Sequence, residues 1–168
     1  VSEARPHVVL IGPPGAGKTR LGKRVARLLK AKFVDTDRRI VAKHGPIVDI
    51  FTAFGEHRYR QLERVEVAQA LTEAAVVALG GGAVLDPDTQ RDLAGHRVVL
   101  VTVTPEAVAS RITGTGRPLV NGIESWSRLV DARREVYERL ATRTWDTSDR
   151  PLDLIAGEIA GWIMEEEA

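Results

Sequence analysis

Residues 12–19 read GPPGAGKT and satisfy the pattern G-x-x-x-x-G-K-[ST] in full. Glycines there let successive backbone N–H groups turn inward around a phosphate, forming an anion nest. A helix beginning at the end of the run adds its positive N-terminal pole. Gly15, Ala16 and Gly17 supply the loop, Lys18 can reach the β- and γ-phosphates, and the Thr19 hydroxyl can ligate Mg²⁺. The pattern predicts a bound nucleoside triphosphate but no particular reaction, because switch GTPases, motor ATPases and small-molecule kinases all carry it.

Three further groups bear on what the phosphate does next. Asp35 and Asp37 in the run VDTD are two residues apart. If the preceding strand continues through them, both carboxylates point the same way at its carboxyl end. A divalent cation and a reacting hydroxyl each need a carboxylate, so the pair suits phosphoryl transfer to an alcohol. The alternative is an Asx turn with Asp37 as N-cap of the next helix. Gly80, Gly81 and Gly82 follow the apolar run AAVVAL. They allow another molecule to approach the backbone closely, or they make a tight turn requiring positive φ. The third group is arginines: Arg58, Arg60 and Arg64 on one predicted helix, Arg133, Arg134 and Arg139 on another, and Arg117 beside Pro118 in a glycine-rich segment. Most surface arginines are simply solvated, but a cation in such a segment suits a lid.

Short apolar runs at 7–11, 33–34, 75–79, 97–103 and 144–146 alternate with helix-period segments at 18–30, 56–73, 125–142 and 152–166. That alternation predicts an α/β fold with a mainly parallel sheet, and 112–123 reads as a mobile loop. With 168 residues the chain has room for one hydrophobic core, hence one domain spanning 1–168. The 24 Lys+Arg and 23 Asp+Glu leave a net charge of +1, which speaks against a nucleic-acid-binding ATPase. Zero cysteines exclude disulfides, thiolate catalysis and Cys-ligated zinc. No apolar run approaches the ~20 residues of a membrane span, and VSEARPH lacks a signal-like apolar stretch. A cytoplasmic protein without membrane or nucleic-acid partners is the expectation.

The ordered series GPPGAGKT, VDTD, DIFTAFGEHRYRQLE, LGGGAV, GRPLV and REVYERLA resembles the shikimate kinase family over nearly the whole chain. The resemblance implies a three-layer α/β/α P-loop kinase with a five-stranded parallel sheet, substrate-binding helices at about 35–65 and a mobile lid at about 112–124. It implies ATP and Mg²⁺, shikimate as acceptor at its 3-hydroxyl, a role in aromatic amino-acid (chorismate) biosynthesis, and a monomer. By the same resemblance Asp37 holds the substrate hydroxyls and Asp35 supports Mg²⁺ through water. Arg60 and Arg139 hold the shikimate carboxylate, Gly80, Gly81 and Gly82 contact substrate through the backbone, and Arg117 closes over the transferring phosphate. Arg111 and Arg150 correspond to residues around the adenine, with Arg20 beside the phosphates. Phe51 and Tyr59 either wall the substrate ring or pack as ordinary core. Pro13-Pro14 and Thr19-Arg20 depart from many relatives, which have Ser-Thr at the latter pair; the metal-ligating hydroxyl is kept. His57 and Arg58 are expected to face solvent. The rivals are a gluconate-type kinase of the same fold and a nucleotide-binding regulatory module without catalysis.

Overall fold

The computed structural model describes residues 3–115 and 122–168. Five strands, β1 Val8–Ile11, β2 Lys32–Asp35, β3 Ala75–Ala78, β4 Val98–Thr102 and β5 Arg143–Asp146, form one parallel sheet in the order β2-β3-β1-β4-β5. The central register pairs Val9 with Val77 on one side and with Val98 on the other. Every residue of β1 and β3 is buried, as expected of strands covered on both faces. β1 lies where the chain crosses from one half of the sheet to the other, and such a switch point opens a crevice at the carboxyl ends of the strands.

Helices α1 Lys18–Leu29 and α7 Leu152–Glu167 pack on one face. There Leu21 and Val25 meet Val8, Leu10, Ile155 and Ile159. On the other face α3 Ile47–Ala70 and α6 Gly122–Leu140 bring Val67, Ala70 and Tyr137 against Val9, Ile11 and Val77. The expected three layers and five parallel strands are therefore present, and the predicted strands and the four predicted helices match to within a few residues, except that α3 starts earlier.

Four helical pieces were absent from the periodicity reading, although the first two fall within the helices at about 35–65 that the resemblance implies. α2 Thr36–His44 begins directly after β2, so the strand does not continue through Asp37. α3 starts at Ile47 and breaks at Gly55, whose φ of 83° lies in the left-handed region; the expected helix corresponds to the part after the break. α4 Pro87–Leu93 starts behind Asp86, whose carboxylate accepts from the Asp88 and Thr89 N–H groups. α5 Pro105–Thr115 starts behind Thr104, whose hydroxyl accepts from Ala107 N–H. Of the segment read as a loop over 112–123, residues 112–115 belong to the end of α5 and 122–123 to the start of α6. Arg117 and the centre of the expected lid lie outside the described residues.

Candidate active site

The loop 12–17 leaves β1 and turns into α1 with Gly15 at φ 85° and Gly17, the N-cap, at φ 92°. Gly12, at φ 144°, has a second reason to be glycine: a Cβ there would stand 2.2 Å from the Val101 carbonyl oxygen of β4. Lys18 is half-buried, and its Nζ donates to Gly12 O at 2.6 Å and Pro13 O at 3.0 Å. Burial pulls its pKa down to about 8, opposed by the charges of Asp37 and Asp35 and reinforced by Arg133. Thr19 donates its hydroxyl to Asp35 Oδ2 at 2.7 Å.

Asp35 and Asp37 do meet in the site, though not by strand alternation. Asp35 ends β2 and is itself the N-cap of α2, accepting from Arg38 N–H at 3.2 Å. Asp37 sits in the first turn, where the helix pole favours a negative charge. Burial raises the Asp37 carboxyl above its ordinary range; the Tyr59 hydrogen bond pulls the other way, as do Lys18 and Arg60. Tyr59 is buried with Ile40 and Ile50, and its hydroxyl donates to Asp37 Oδ1 at 3.0 Å. It therefore does core packing and polar work at once, a role the sequence reading did not contain. Phe51 lies against it with ring centroids 5.0 Å apart.

The three glycines have a physical explanation within the chain itself. A Cβ at Gly80 would lie 2.5 Å from Asp37 Oδ1, and one at Gly82 would lie 2.7 Å from Arg60 Nη2. One at Gly81 would lie 3.2 Å from Pro14 Cδ and 3.3 Å from Arg133 Nη1. None of the three has positive φ. The run is glycine because an aspartate and two arginines crowd against it.

Arg60, after the break in α3, donates to Glu63 Oε1 at 2.8 Å. Glu63 is buried, which raises its pKa, and the Arg60 contact opposes that shift. On α6 the arginine that reaches the glycine turn is Arg133, not Arg139. Arg139 lies six residues further on, about 240° around the helix, and donates to Gln90 Oε1 at 3.1 Å. Tyr137, one turn beyond Arg133, donates its hydroxyl to Gly81 O at 2.7 Å. Arg133 carried no local signal separating it from its neighbours; only the phase of α6 against the turn selects it.

A cleft of about 1280 Å³ runs from Asp37, Gly80 and Gly81 past Lys18 and Thr19 to the segment 147–153. That is larger than an ordinary small-ligand pocket and has room for a triphosphate and a second small molecule. Arg20, Arg111 and Arg150 line its far part. Arg111 donates to Gly15 O at 2.7 Å and Thr147 O at 2.6 Å. Arg150 is paired with Glu158. His57 and Arg58 are exposed, as expected. Thr19 and Asp35 offer hard oxygen donors, and among the described residues no cluster of three or more His, Asp or Glu forms a metal cage. A hydroxyl and one carboxylate fit Mg²⁺, an ion that keeps most of its shell as water and phosphate oxygen.

The model of the family described as shikimate kinase matches residues 14–164. A shikimate kinase of Salinispora arenicola is 46% identical over 163 residues, covering 94% of this chain and 98% of the relative. The structure of shikimate kinase from Acinetobacter baumannii in complex with shikimate superposes with a TM-score of 0.86 at 29% identity, covering 98% of this chain and 95% of that one. The structure of shikimate kinase from Bacteroides thetaiotaomicron gives 0.83 at 26% identity, with 99% of each chain covered. A match of this extent, with the phosphate loop, the paired aspartates and the glycine turn in one cleft, places the chain in the shikimate kinase family.

Proposed function

We propose that the chain transfers the γ-phosphoryl group of ATP to the 3-hydroxyl of shikimate, the step that commits this ring acid to chorismate and aromatic amino-acid synthesis. The observation that carries the reading is the position of Asp37. It touches Gly80, lies close enough to Lys18 for their charges to shift one another, and is flanked by Arg60. An acceptor hydroxyl bound to Asp37 is thereby set beside the loop that holds the phosphates.

In the proposed reaction the N–H groups of 15–18 and the Lys18 ammonium hold the β- and γ-phosphates. Asp37 accepts the hydrogen bond of the acceptor hydroxyl and orients its oxygen toward the γ-phosphorus. The new P–O bond forms as the β–γ bridging bond breaks, the hydroxyl proton passes to Asp37, and ADP leaves. Positioning and charge stabilisation supply most of what such a transfer needs. Thr19 and, through water, Asp35 would hold Mg²⁺, which neutralises phosphate charge when bound. Arg60 and Arg133 hold the acceptor carboxylate in this reading, Arg133 taking the place first given to Arg139. Their guanidiniums stand against two adjacent glycines of one turn, Arg60 at Gly82 and Arg133 at Gly81. Charge-assisted contacts of this kind are worth about 1.5–3 kcal/mol each. Phe51 and the Tyr59 ring wall the acceptor, Arg20, Arg111 and Arg150 serve the nucleotide, and Arg117 closes the lid. A monomeric, cytoplasmic enzyme completes the proposal; no helix among the described residues is long and apolar enough to cross a membrane.

The deciding assay is ADP release with Mg²⁺-ATP and either shikimate, gluconate or no acceptor. Turnover with shikimate alone is expected. Turnover only with gluconate, or equal turnover without an acceptor, overturns the reading.

A further inference from the structure

The phosphate loop can face its N–H groups inward only if its carbonyls face outward, and outward carbonyls inside a fold need donors. All five carbonyls from Gly12 to Ala16 have one. Gly12 O and Pro13 O accept from Lys18 Nζ, and Pro13 O also accepts from Ala16 N–H at 3.3 Å. The next three are served by side chains from three separate places in the chain. Pro14 O accepts from the Trp126 indole N–H at 2.7 Å, Gly15 O from Arg111 at 2.7 Å, and Ala16 O from the Thr147 hydroxyl at 2.7 Å. Trp126, on the first turns of α6, is 5% exposed, and Thr147, just after β5, is 2% exposed.

From this arrangement we infer that Trp126 is a positioning residue for nucleotide binding, fixing the carbonyl side of the phosphate loop from α6, with Thr147 doing the same from the β5 end. The inference rests on the reading that residues 12–19 hold the nucleotide phosphates. A carbonyl that rotates inward replaces a phosphate-facing donor with a repelling lone pair, so each outward tether acts on phosphate affinity without touching the ligand. Indole is suited to this position because it is a donor only. It cannot offer the loop an acceptor, and its rigid ring is held by the core around Ala16 and Val108. Thr147 has other polar neighbours, Thr102 O at 3.3 Å and Arg111, yet its single proton has its shortest acceptor in Ala16 O.

The test is Trp126→Phe, which keeps an aromatic ring and removes the donor. The readouts are the KM for ATP, the Kd for ADP by calorimetry, the KM for shikimate and the melting temperature. Loss of the indole hydrogen bond to Pro14 O is expected to weaken ATP and ADP by roughly tenfold, with the shikimate KM within about twofold of wild type. Unchanged nucleotide affinity overturns the inference. So does a parallel rise of both KM values with a lowered melting temperature, which would mark Trp126 as packing alone. Thr147→Val removes the second tether at nearly constant shape and should give the same split; if it leaves ADP binding intact, the tethering argument fails even should Trp126→Phe not fold. Wild-type protein that fails to bind ADP refutes instead the nucleotide reading of the loop.

Discussion

Gly80→Ala isolates the contact between the glycine turn and Asp37. The added Cβ would lie 2.5 Å from Oδ1 and 2.9 Å from both Cγ and Oδ2. Rotation about Cβ–Cγ gives no relief, because Cγ itself is too close. To restore an ordinary contact of 3.4 Å the carboxylate must retreat by about 0.9 Å. On one of its other sides Tyr59 holds Oδ1 at 3.0 Å, so the retreat also strains or breaks that bond. Gly80 has no positive φ, so alanine introduces no backbone penalty to confuse the result. A displacement near 1 Å at a positioning group costs about 100-fold in rate, or about 2.7 kcal/mol of transition-state stabilisation. The prediction is a kcat lower by about that factor in the coupled ADP-release assay, with ADP binding by calorimetry unchanged. A variant with kcat within about threefold of wild type would refute the reasoning, since Asp37 could then be moved without consequence.

Three further outcomes follow from the same geometry. In Gly82→Ala the added Cβ meets only the tip of Arg60, a long side chain that can yield. The shikimate KM should rise about fivefold with kcat little changed, and a fall in kcat like that of Gly80→Ala would show that the two contacts are not separable. Arg133→Ala should raise the shikimate KM by about 10- to 100-fold, the size of a lost charge-assisted contact, whereas Arg139→Ala should leave it within about twofold; steady-state kinetics with shikimate varied ranks them, and the reverse ranking removes Arg133 from the acceptor site. Glu73 tests stability: its hydrogen bonds from Arg39, helped by Lys32, hold its carboxyl down to about 2. Because the folded value is depressed, that stabilisation is full above pH 4.5 and is lost as pH falls through 2. Glu73→Gln should therefore melt about 2–4 °C below wild type at pH 7, with the gap narrowing progressively below pH 4.5, and a gap independent of pH would refute the ion-pair account.

Local pattern carried most of the fold and the nucleotide half of the site. The strands are short apolar runs covered on both faces, and the phosphate loop is contiguous, so its chemistry can be read from eight adjacent letters. Two missed helices had their own start signals: Asp86-Pro87 and Thr104-Pro105 place a capping side chain before a proline in the first turn. The acceptor half was less legible because it is assembled across the sequence. Asp37, Gly80, Arg60 and Arg133 come from a helix start, a strand end and two separate helices. Whether position 133 or 139 faces the turn depends on the packed phase of α6, which the sequence of α6 does not specify. The triple glycine shows the same limit. From sequence it signals close approach without saying of what, and the structure supplies three of the chain's own side chains. That answer strengthens the assignment of the turn to the acceptor site. A turn that merely needed tight curvature would tolerate alanine wherever φ is negative; here a methyl group at Gly80 or Gly82 collides with the aspartate and an arginine proposed to hold the acceptor, and one at Gly81 crowds a second arginine. The glycines are there to keep those groups in place, which makes the turn part of the site's geometry even before any substrate is considered.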